Sequence, residues 1–66
     1  MSNEIIRRVK WVRQDIFGTD TGYSIKAITR KRQEGIWLEG IHWKKAPDGH
    51  IMINTVEYDN WVENAA

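Results

Sequence analysis

Cysteine is absent from the 66 residues, which excludes disulfides, cysteine-ligated zinc sites and thiol catalysis and is compatible with a reducing compartment. No apolar stretch approaches the roughly 20 residues of a membrane span. The opening Met1-Ser2-Asn3-Glu4-Ile5-Ile6-Arg7-Arg8 lacks the apolar run of a signal peptide. A soluble cytoplasmic chain with no membrane partner is therefore expected. Histidine occurs only as His42 and His50, and with scattered acids the pair lacks metal-ligand spacing. There is no Ser/His/Asp order and no Gly-rich phosphate loop. Asp15 and Asp20 form the one imaginable acid pair, which helix capping and solvation explain more simply. A chain this short makes one domain, buries only roughly 60% of its unfolded surface, and has no room for a deep substrate cavity. The expectation is a non-enzymatic binding module without metal or cofactor.

What is present is unevenly placed charge. The formal net charge is +1. Residues 1–53 hold all ten Lys and Arg against six acids, a balance of +4, while Glu57, Asp59 and Glu63 leave residues 54–66 at −3. Such segregation suggests a basic face with a solvating acidic end, although a small soluble domain can show it by chance.

Along the chain, residues 1–9 read as a loose arm and 64–66 as a tail around a domain of residues 10–63. Lys10-Trp11-Val12 is a short strand or an extended lead-in. Arg13 to Asp20 reads as a first helix, with Ile16 and Phe17 as its apolar contacts. Gly18 within it costs about 1 kcal/mol relative to Ala. Thr21-Gly22-Tyr23-Ser24 is a turn: Gly22 suits a left-handed helix exit and Ser24 is a good N-cap. A second helix runs from Ile25 to Gln33, and Gly35 ends it. Helix, Gly turn, helix is a helix-turn-helix outline.

Ile41-His42-Trp43-Lys44-Lys45 alternates as a half-buried strand does. Ala46-Pro47-Asp48-Gly49 is a strong turn, and His50 to Ile53 is the return strand of a β-hairpin. Asn54 with Glu57 matches a capping box for a last helix, whose apolar face is expected to use Val56, Trp61 and Val62 with Tyr58 nearby. The fold class predicted is α+β, a minimal winged helix-turn-helix of two to three short helices plus a hairpin wing. The four tryptophans, Trp11, Trp37, Trp43 and Trp61, read as core for a tiny domain rather than as a stacking platform for single strands.

The second helix carries the candidate chemistry. Lys26, Thr29, Arg30 and Gln33 fall on one helix face. Arg can grip guanine O6 and N7 with two donors, Gln can do likewise with adenine, and Thr can meet a thymine methyl. Lys31 and Arg32 flank that face as candidate phosphate contacts. Lys44, Lys45 and His50 flank the hairpin tip as a candidate wing along the DNA backbone. A solvated helix face and solubilising edge lysines are the plainer alternatives.

Thr21 to Ile28, Gly35-Ile36-Trp37-Leu38-Glu39-Gly40-Ile41-His42-Trp43, Ala46-Pro47-Asp48-Gly49-His50-Ile51 and Tyr58 to Glu63, in this order, resemble the small excisionases of temperate phages and prophages. The resemblance covers about residues 10–63. It implies a winged-helix relative of the MerR-type DNA-binding domain. Such a protein is not a catalyst. It binds and bends double-stranded DNA beside an attachment site, assembles cooperatively with other protomers, and helps a phage integrase, a tyrosine recombinase, to excise. Carried over, the recognition helix is Ser24 to Gln33 and the wing Trp43 to Ile51. Relatives commonly place Thr or Ser after the Trp-Val pair as the first helix cap; here Arg13 stands there, which leaves the start of that helix open. Two other readings stand beside this one: a phage or prophage transcriptional regulator of the same fold, and a protein-interaction module without DNA binding.

Overall fold

The first helix begins without a side-chain cap. In the structure, a computed structural model that describes residues 10–65, α1 spans Gln14–Thr21 and Arg13 fills the N-cap position while capping nothing. Its guanidinium turns instead to Asp15: Nε donates to Oδ1 at 3.1 Å and Nη2 to Oδ2 at 2.9 Å. The carboxylate so held lies in the first helical turn, where the macrodipole favours negative charge. The arm expected at residues 1–9 lies outside the described residues.

Gly22 closes α1 in the left-handed region (φ 87°), with its N–H donating to the Gly18 carbonyl at 2.7 Å. The chain then doubles back so tightly that a Cβ on Gly18 would stand 2.6 Å from the Tyr23 carbonyl oxygen. Gly18 is thus required by a close approach, not merely tolerated within a helix. Ser24 caps α2 (Ile25–Gln33), its Oγ accepting from the Ala27 N–H at 3.1 Å. Gly35 (φ 75°) ends it, and the Ile36 N–H returns to the Lys31 carbonyl at 3.0 Å. These helix bounds follow the sequence expectation to within a residue.

The sheet is larger than a hairpin. β1 (Trp11–Arg13), β2 (Trp43–Lys45) and β3 (Ile51–Asn54) form an antiparallel sheet of order β1-β3-β2, with Val12 and Trp43 both opposite Ile53. The strand expected from Ile41 starts only at Trp43. The N–H groups of Ile41 and His42 are spent on the Leu38 carbonyl, and the Leu38 N–H donates to His42 Nδ1 at 2.9 Å, so this stretch is a turn. Alternation sends Val12, Ile51, Ile53 and Trp43 to the core face and leaves Trp11, Met52 and Lys44 on the other.

Asn54 ends β3 and caps α3 (Thr55–Glu63), its Oδ1 accepting from the Glu57 N–H at 3.0 Å while its own N–H donates to His42 O at 2.8 Å. The Thr55 N–H and Oγ1 both donate to the Lys10 carbonyl, at 2.7 and 3.2 Å. Because Asn54 is buried, Asn54→Ala should cost about 1–2 kcal/mol through the orphaned Glu57 N–H. Urea unfolding should report this as a lower midpoint at constant slope; an unchanged midpoint would remove Asn54 as the joint between strand and helix.

Phe17, Ile28, Trp37 and Ile53 form the core, each at most 2% exposed. Trp37 presents edges or faces to Phe17, Tyr23, Tyr58 and Trp61 at centroid distances of 5.5 to 5.9 Å. The tryptophans other than Trp11 thus serve the core, Trp43 and Trp61 from its edge. The face of α3 differs from expectation. Tyr58 and Trp61 turn inward after Thr55 at a spacing of three, whereas Val56 and Val62 are 51% and 48% exposed. Val56 lies on the far side of that row, and Val62 sits in the last turn. The whole is a small α+β fold, compatible with a minimal winged helix. Among the described residues no helix is long and apolar enough to cross a membrane.

Candidate nucleic-acid interface

α2 buries Ile28 and thereby fixes which side of the helix meets solvent. Lys26, Thr29, Arg30 and Gln33 line one shallow depression on the outer side, as their spacing predicts. Ser24 adjoins it, and its hydroxyl oxygen accepts the cap hydrogen bond while its proton stays available to donate. Glu34, which sequence reasoning did not single out, lines the same depression and places an anion at its C-terminal end. Its position one residue past Gln33 was the available signal.

Lys31 and Arg32 take a different course from Arg30. Lys31 is half-buried, with Nζ over the rings of Tyr23, Trp37 and Trp61 at 5.6, 5.8 and 5.6 Å. Arg32 is half-buried too, with Cζ 4.7 Å from the centroid of Trp43. Two of the three consecutive cations therefore rest on aromatic faces.

On the wing, Lys44 extends over Trp11 on the outer face of the sheet, Nζ 5.9 Å from the ring centroid. Lys45, its neighbour in the strand, alternates to the opposite side, yet both lysines line one shallow depression with Trp11, Pro47 and Met52. At the tip, Asp48 Oδ1 accepts from the His50 backbone N–H at 3.0 Å and lies 3.2 Å from His50 Nδ1. That backbone N–H, and then the ring, hold the Asp48 carboxyl below its usual range. The tip is thus a paired anion and imidazole with lysines behind it.

Sequence reasoning also missed the cleft between the start of α1 and the wing, lined by Arg13, Gln14, Ile25 and His50. Arg13 enters it already bonded to Asp15. The hydrogen bond raises the arginine pKa and lowers that of the carboxylate. The pattern Arg-x-Asp at the helix start was the legible sign. Burial, with Tyr23 close by, pushes the Tyr58 phenol up, which keeps it neutral in the core. Among the described residues no group of three or more His, Cys, Asp or Glu could hold a metal ion.

A helix-turn-helix with an exposed cationic second helix and a hairpin beside it defines the class of small winged-helix-like modules. The family model described as "Putative excisionase (DUF1233)" matches residues 4–66, and the chain belongs to that family. The resemblance drawn from the sequence motifs agrees with it. No curated protein and no solved structure matches the chain.

Proposed function

We propose that the protein is a recombination directionality factor that binds and bends double-stranded DNA near an attachment site and turns a tyrosine-recombinase integrase toward excision, without catalysing a step itself. The observation that carries the reading is one outer face of a short helix, with Lys26, Arg30 and Gln33 exposed and Thr29 half-buried among them, in a chain that belongs to an excisionase family. In this reading α2 enters the major groove. Arg30 and Gln33 address base edges, Thr29 a methyl group, and Lys26 with Ser24 the flanking backbone. Lys44, Lys45 and His50 on the wing follow the neighbouring backbone. Lys31 and Arg32 flank the helix. Bending a site of 20–30 base pairs costs on the order of 1–6 kcal/mol, which several protomers bound side by side can supply.

The test is excision in vitro, with the cognate integrase and a supercoiled plasmid carrying both attachment sites. Addition of the protein should switch on excision, and Arg30→Ala should abolish it. On the specific duplex Arg30→Ala should cost about 1–3 kcal/mol and relax preference at one position. Binding without any effect on excision would point to a transcriptional regulator of the same fold. Failure to bind any duplex would leave a protein-interaction module.

A further inference from the structure

α2 and the hairpin are tied together at few points. α2 packs chiefly on α1, and its backbone stays largely clear of β2. Across that seam the Arg32 guanidinium lies on Trp43. The indole cannot easily yield. Its Nε1 donates to the Trp37 carbonyl at 3.0 Å, its backbone carbonyl accepts from the Gly40 N–H at 2.6 Å, and its strand position is opposite Ile53 in the core. Arg32 Nε is shut off from solvent and has no hydrogen-bond partner among the described residues. A guanidinium used for phosphate presents its N–H fork to the anion; in Arg32 the Nε side of that fork is buried, which leaves only the Nη groups to meet one. Arg30, two residues earlier, is exposed at the outer depression instead.

We propose that Arg32 is a positioning residue whose stack on Trp43 sets the angle between α2 and the wing, so that both elements meet one duplex at once, and that it is not a phosphate contact. This rests on the DNA-binding reading above. Arg suits that place better than Lys would, since a planar guanidinium stacks on an indole face where a lysine ammonium makes only a point contact.

Arg32→Lys preserves the charge and removes the plane; Arg32→Gln removes both. On a duplex from the attachment region, both variants should bind about tenfold more weakly than the wild type. The slope of log K against log salt should stay the same in both, whereas loss of a true phosphate contact lowers it by about 0.9. The DNA bend angle should change in both. In the free protein, residual dipolar couplings from α2 and the hairpin should fit one orientation in the wild type. In Arg32→Lys each element should keep its own internal couplings while their common orientation shifts or broadens. The proposal is overturned if Arg32→Lys binds like the wild type while Arg32→Gln loses salt slope, or if the free-protein couplings of Arg32→Lys match the wild type. A wild-type protein that binds no duplex sinks the DNA reading instead, and the couplings then decide the role of the stack alone.

Discussion

Trp37→Ala is expected to leave the chain without a cooperative folded state. Removing a fully buried Trp costs about 3–5 kcal/mol, and a chain of this length commands roughly 3–10 kcal/mol in total. Trp37 stands against four other rings, so its removal hollows the one place where α1, α3 and the loop after α2 meet. Near-UV circular dichroism should be flat and urea unfolding should lack a baseline. Trp37→Phe should be far milder. The indole N–H is buried with no acceptor among the described residues, and that cost disappears with it. A sigmoidal Trp37→Ala transition displaced by under about 1 kcal/mol would contradict this account of the core.

Gly18→Ala is the second large effect, and its sign is diagnostic. Helix propensity alone says that Ala stabilises the position by about 1 kcal/mol. The geometry says the opposite, because the new methyl would meet the Tyr23 carbonyl, a backbone atom that cannot swing aside. Overpacking of this kind costs about 1–3 kcal/mol and sometimes more. The turn between α1 and α2 would open, so α2 would lose its seat as well as stability. Thermal denaturation decides between the two, and a raised melting temperature would mean that the turn relaxes freely.

The same residue shows where sequence reading stops. Its presence in a helix was legible as a local cost, but the reason for it is a contact made after the chain turns round. Features governed by neighbours within four residues were readable: the Ser24 cap, the Gly22 exit, the extent of α2, the Pro47-Asp48-Gly49 turn and the Asn54 cap all follow local rules. β1 was half-visible, since three residues cannot announce a partner far along the chain. Ile41 alternates like a strand residue, yet the Leu38 and His42 hydrogen bonds capture its surroundings into a turn. On α3, Val56 and Tyr58 are both candidates for the apolar face, and it is the rings of Phe17, Tyr23 and Trp37 from elsewhere in the chain that receive Tyr58. At the candidate site, helical spacing placed Lys26, Thr29, Arg30 and Gln33 together. It could not tell Arg30 from Lys31 and Arg32, because the rings that hold the latter two come from Tyr23, Trp37, Trp43 and Trp61.

The bonds from Thr55 to Lys10 join positions 45 apart in sequence, and among the described residues β1 pairs with β3 alone. During synthesis the two central helices are therefore available long before the sheet that must carry them. Closing so wide a loop delays the rewarding contacts until late. The module therefore gains its sheet and the Tyr58 and Trp61 side of its core only once β3 and α3 have been made, and a stop codon shortly before Asn54 would yield a fragment exposed to proteolysis rather than a weakened module.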